Sequence, residues 1–172
     1  MDLVAAGDRL VRLDRCRLDS LVSYAEGYRG PGSVAARRAA GLVRERVDSV
    51  RETRVRLCLV LAGLPEPRCN VVLGTDKRPI GRVDLLLEEF MVIVEYEGDQ
   101  HRTDPVQWST DISRGEAFGA EGYRVIRVTS GHLTRPRVVV GRVLRAMRSG
   151  GYLGPDPVFT DEWSMLFERG AR

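Results

Sequence analysis

Apolar and polar positions alternate along two adjacent stretches of the chain, and this alternation is its strongest structural signal. Val83, Leu85 and Leu87 recur every second residue; beyond the break at Glu88, Glu89 and Phe90, Met91, Ile93, Glu95 and Glu97 share one face of a second stretch. The pattern predicts two strands joined by a tight turn. Upstream, Ser49-Val50-Arg51-Glu52 has capping-box spacing and predicts a helix that buries Val55, Leu57, Leu59, Leu61, Ala62 and Leu64 and stops at Gly63 and Pro65. A first strand is expected over 69–73 and a turn over 74–79. After the hairpin, Val106, Ile112, Ala117 and Phe118 have helical spacing up to a Gly122 stop, 123–128 reads as an apolar strand, and 134–147 as an amphipathic helix with Pro136 near its first turn. Residues 1–48 predict helices: one over 21–28, capped by Asp19 or Ser20 and ended by Arg29-Gly30-Pro31-Gly32, and another from Ser33 through Val47. The tail carries Phe159, Trp163, Met165, Leu166 and Phe167, a set suited to a short helix that docks on the body or on a second subunit.

The element order is α-β-β-β-α-β, and its strand-helix-strand step implies a parallel crossover. The expected fold is α/β with a mixed four-stranded sheet, extra N-terminal helices and a short C-terminal helix. The expected organisation is a helical extension over 1–48, a core over 49–149 and a tail over 150–172. A chain of 172 residues with 43% hydrophobic content supports one sizeable core. The longest apolar run, 57–64, is too short to span a membrane, and the N-terminus lacks the apolar stretch of a secretory signal. Cys16, Cys58 and Cys69 are odd in number and widely spaced, which fits packing residues in a reducing cytosol. A cytoplasmic protein without a membrane partner is therefore expected.

Charge changes the picture more than composition does. From Asp84 to Asp104 there are seven acidic residues against one basic, whereas 122–150 holds seven arginines and no acid. If the hairpin loop has two or four residues, antiparallel pairing sets Asp84 across from Ile93 or Glu95 and gathers it with Glu95 and Glu97. Such crowding is costly unless a proton or a divalent cation sits among the carboxylates, and oxygen-only ligands suit magnesium, manganese or calcium. An acidic sheet edge kept soluble by its charges is the plainer alternative, and the apolar flanks of the hairpin argue against it.

The run from Ser49 to Leu133 resembles the PD-(D/E)XK restriction-endonuclease-like superfamily and, within it, the actinobacterial domain family related to very-short-patch-repair endonucleases. The resemblance rests on Ser49-x-x-Glu52 with Ala62-Gly63-Leu64-Pro65, on Arg82-Val83-Asp84, and on Val94-Glu95-Tyr96-Glu97-Gly98-x-x-His101. Asp111, Arg114 and Gly122-Tyr123-Arg124-Val125-Ile126-Arg127 complete it. It implies a restriction-endonuclease-like core in which Asp84 and Glu95 bind catalytic magnesium or manganese, joined by the main-chain carbonyl of Tyr96 and often by Glu52. At Glu97 the chain departs from the superfamily's commonest pattern, a lysine, although the related actinobacterial sequences tend to carry an acid there. A carboxylate at this place can bind a second metal or act as general base, but cannot supply a lysine's positive charge. The resemblance also implies a longer N-terminal region like a winged-helix, antitoxin-type regulator, of which 1–48 matches only the end.

The function expected from these readings is metal-dependent hydrolysis of DNA phosphodiesters by an endonuclease or nickase. Asp84, Glu95, Glu97, His101 and Glu52 form the expected site, with His101 assisting proton transfer to the leaving oxygen. Arg114, Arg124, Arg127, Arg142 and Arg145 are the expected phosphate contacts, since arginine matches phosphate bidentately. Gln107 is a further candidate to face the site, and Arg37, Arg38, Arg44 and Arg46 can meet DNA or simply solvate helix faces. Asp111 and Arg114 stand at ion-pair spacing on one helix face, and His132 reads as structural or phosphate-contacting. Two other classes stay open: a non-cutting DNA-binding regulatory module of antitoxin type, and an interaction protein that dimerises through its tail.

Overall fold

The structure, a computed structural model, describes residues 1–75, 78–98 and 105–168, and for 105–111 the backbone alone. The chain forms two compact units, Met1–Leu57 and Cys58–Arg172. The fold is mixed α/β, with seven α-helices and one four-stranded sheet among the described residues. None of these helices is long and apolar enough to cross a membrane.

The first unit holds α1 (Asp2–Arg12), α2 (Leu18–Gly27), α3 (Ser33–Leu42) and the opening turns of α4 (Val50–Val60). Its centre is polar. Asp8, only 2% exposed, accepts from the Thr53 hydroxyl at 2.7 Å, the Arg44 amide at 2.8 Å and the fully buried Arg56 guanidinium at 3.4 Å. Arg56 also donates to the Leu42 carbonyl at 2.7 Å. These long-range bonds take up backbone groups just where α3 stops. The helix expected to run through Val47 therefore ends at Leu42, and α2 starts at Leu18 without a side-chain cap rather than at Asp19 or Ser20.

In the second unit β1 (Arg68–Thr75), β2 (Arg78–Leu87) and β3 (Val92–Glu97) form an antiparallel run in sheet order, and β4 (Arg124–Thr129) lies parallel to β3 after α5 (Pro105–Ala120). Then come α6 (Pro136–Ser149) and α7 (Asp161–Phe167). The stretch expected to be a turn over 74–79 is mostly strand. A register shift at Leu73/Gly74, with Gly74 at φ 101°, absorbs the irregularity and lets Pro79 stay in the ladder.

Both sheet faces are apolar. One carries Val71, Leu73, Val83, Leu86 and Ile93 against Phe118 of α5, and α6 packs along β3 and β4. Val83 and Leu86 belong to the same cluster although one is odd and the other even, so β2 changes face between them, around Asp84. Opposite that point Asn70 of β1 sits at φ 48°, a left-handed conformation that asparagine tolerates better than most residues. The simple alternation expected for Val83, Leu85 and Leu87 is thus broken beside the candidate site.

The tail docks on its own unit. Trp163 is buried, donates from Nε1 to the Cys58 carbonyl at 2.9 Å and lies against Phe159 and Phe167 at 4.5 and 5.2 Å between ring centroids. Arg137 of α6 stacks over Phe159 at 4.5 Å and pairs with Glu168 at 2.6 Å. Most of the apolar set that suggested dimerisation is therefore spent within the chain.

Candidate functional site

A four-residue connection decides the geometry of the hairpin. Leu87 pairs with Val92, Leu86 with Ile93 and Leu85 with Val94, and Glu88–Phe90 makes a 3₁₀ turn closed by Met91 at φ 56°. One further step in that register sets Asp84 opposite Glu95. The ladder ends before this step, and the Asp84 carboxylate instead accepts the Tyr96 amide at 2.8 Å. A backbone donor is thereby satisfied where the two strands part. The Asp84 carboxylate consequently lies against the Glu95-Tyr96 peptide, and Glu95 itself is 7% exposed.

Each glutamate has a cationic partner. Arg114 of α5 donates from Nη2 to Glu95 Oε1 at 3.0 Å, and Arg127 of β4 approaches Glu97 Oε1 with Nε at 3.1 Å. Parallel pairing explains the second contact, because Glu95 is registered with Arg127 and Glu97 with Thr129. Two glycines make room for these side chains. A Cβ on Gly81 would lie 2.9 Å from Arg114 Cδ, and one on Gly115 would lie 3.3 Å from Arg127 Nη2. A glycine within a strand signals close approach, so Gly81 was the available clue that a side chain crosses the sheet there.

Asp84, Glu95 and Tyr96 are therefore brought together, with Glu97 at the more exposed end of the same strand. The donor set fits a hard divalent cation, because magnesium takes one or two protein carboxylates and completes its shell with water and substrate phosphate. Among the described residues, no three His, Cys, Asp or Glu side chains gather into a ready-made cage. His101 lies outside the described residues, as do the side chains of Gln107 and Asp111.

Glu52 stands in the first unit. Its amide donates to the Ser49 hydroxyl oxygen at 3.1 Å, so the N-cap half of the capping box forms, while its carboxylate accepts the amide of Asp48, one residue before the cap, at 3.1 Å. Glu52→Ala is expected to cost about 1 kcal/mol in chemical denaturation, whereas Glu52→Gln, which can still accept, costs less than about 0.5 kcal/mol. Equal losses for the two variants would show that charge, and not capping, holds this residue.

The arginines do not form one stripe. Arg114 and Arg127 lie with the carboxylates on the α5 side. Arg124, of opposite parity to Arg127, donates to the Ser149 carbonyl at 3.2 Å at the end of α6. Arg142 donates to the Arg127 carbonyl at 3.1 Å and lies 3.2 Å from His132 Nε2, while His132 Nδ1 accepts the Thr129 amide at 3.1 Å. His132 and Arg142 thus brace α6 against β4, and Arg145 is exposed on α6. In the first unit, Arg37 and Arg44 donate to main-chain carbonyls of Tyr28, Gly41 and Val43.

Two proteins of Mycobacterium tuberculosis are similar to the chain at a distance. Uncharacterized protein MT2308 of strain CDC 1551 / Oshkosh and uncharacterized protein Rv2248 of strain H37Rv are each 25% identical to the chain over 138 residues. The alignments cover 80% of this chain and 50% of each relative, so the chain spans about half the length of the curated relatives it matches. No family model and no solved structure matches it.

Proposed function

We propose that the second unit has a restriction-endonuclease-like core and hydrolyses DNA phosphodiesters with magnesium or manganese. The observation that carries this reading is the Asp84 carboxylate seated on the Tyr96 amide beside the buried Glu95, at the point where β2 and β3 part. Asp84 and Glu95 hold the cation in this account, with the Tyr96 carbonyl as the further ligand implied by resemblance. When bound, the cation supplies Lewis acidity to the phosphoryl group and to a water. Glu97 accepts a proton at its carboxylate in this account, and Arg127, paired with it, supplies the positive charge that a carboxylate cannot. His101 keeps its expected role in proton transfer to the leaving oxygen. The arginines of α6 and β4, led by the exposed Arg145 and Arg124, bind flanking phosphates.

A second reading, a DNA-binding regulatory module that does not cut, is favoured by one specific feature: both glutamates of β3 are already neutralised by arginines. The two readings separate when binding and cutting are followed together on matched and mismatched duplexes across a range of salt. A nuclease gives binding that weakens with salt and products that require the metal. A regulatory module gives the same salt dependence and intact DNA.

A further inference from the structure

The Glu95–Arg114 pair is more than a charge that happens to be balanced. The side chain of Glu95 is 9% exposed and that of Arg114 34%, so the carboxylate is nearly buried while its partner still reaches solvent. The Glu97–Arg127 pair differs, at 46% and 42%, and exposed pairs of that kind contribute little and exchange easily. A buried carboxylate cannot be left without a counterion, because an uncompensated buried charge costs several kcal/mol. Arg114 also has a second possible partner, since its guanidinium suits a phosphate as well as a carboxylate. Its stem lies across Gly81 with the guanidinium carbon 5.9 Å from the Phe118 ring centroid, so the side chain reaches the site from α5.

Resting on the reading of Asp84 and Glu95 as a cation site, we propose that Arg114 is an exchangeable counterion that couples cation binding to nucleic-acid binding. In the free protein Arg114 occupies the Glu95 carboxylate and competes with the divalent cation. A backbone phosphate draws the guanidinium away, and the cation takes its place on Glu95. The substrate therefore loads the site, and the free protein holds the metal weakly. Linkage makes the effect reciprocal: the cation tightens DNA binding by the same factor by which DNA tightens cation binding.

The experiment counts free Mn²⁺ by electron paramagnetic resonance in titrations of the full chain, with and without a short DNA duplex kept intact at low temperature. Asp84→Asn supplies the background to subtract. The wild type is expected to bind Mn²⁺ roughly tenfold more tightly with the duplex present. Arg114→Gln is expected to reach that affinity without DNA and to gain less than about twofold when DNA is added. Duplex affinity of the wild type, measured with and without Mn²⁺, must change by the wild-type factor, which tests the coupling without any variant. An Arg114→Gln protein that binds Mn²⁺ no more tightly than the wild type and keeps the full duplex effect overturns the exchange while leaving the cation site standing. Absence of Asp84-dependent Mn²⁺ binding under every condition removes the cation site itself, and the exchange with it.

Discussion

Asp84→Asn is expected to cut DNA at least about a thousandfold more slowly than the wild-type chain while binding it with unchanged salt dependence. Asparagine keeps the shape of the side chain and one carbonyl oxygen for the Tyr96 amide, so the hydrogen bond at the parting of β2 and β3 survives. What is lost is one of two hard anionic donors. A cation at such a site contributes several kcal/mol to the transition state, and each 1.36 kcal/mol is a factor of ten in rate. The proposed DNA contacts are mostly arginines outside the cation site, so binding measured without metal is expected to stay intact. Single-turnover rates on an end-labelled duplex, paired with binding isotherms at several salt concentrations, check both halves. A rate within tenfold of the wild type removes Asp84 from the metal site; a loss of binding in the absence of metal points to a folding defect.

The largest effect on stability is expected in the first unit. Asp8→Ala strands the guanidinium of Arg56, fully buried, and withdraws the acceptor from the Thr53 hydroxyl and the Arg44 amide. Removing one partner of a buried ion pair costs about 3–5 kcal/mol, which is a large fraction of the stability of a small domain. Pairing Asp8→Leu with Arg56→Met, which removes both charges and refills the volume, should recover most of that loss. Urea denaturation of the three proteins decides the matter. A cost below about 1 kcal/mol for Asp8→Ala would mean that the pair is not the organising contact of α1, α3 and α4.

The hairpin was legible because two independent signals agreed, the alternation of apolar residues and the polar turn, and a four-residue connection then brought the Asp84 carboxylate to the Tyr96 amide. The start of α4 was legible for the same kind of reason, since a capping box is local chemistry. The end of α3 was not, because Asp8 and Arg56, far along the chain in opposite directions, claim the backbone around Leu42 and Arg44. The face change of β2 near Asp84 was hidden too, since alternation along the strand gives no sign that Val83 and Leu86 join one cluster with Phe118. Nor did spacing reveal the arginine partners of the glutamates. Arg114 stands at ion-pair distance from Asp111 in sequence, yet it reaches Glu95 because α5 lies over that face and Gly81 leaves space for its stem. The arginines expected to contact phosphate divide for a comparable reason: Arg124 and Arg127 have opposite parity on β4, and Arg142 donates to the Arg127 carbonyl.

Supercoiled plasmid incubated with the purified wild-type chain and magnesium or manganese reads out metal-dependent cutting, with a chelator and Glu95→Ala as controls. Nicked or linear product that appears with the metal, disappears with the chelator and is absent for Glu95→Ala is the predicted result. Plasmid that stays supercoiled at every metal concentration, although the protein binds it in a salt-sensitive way, would contradict a nuclease and leave a DNA-binding module on the same fold.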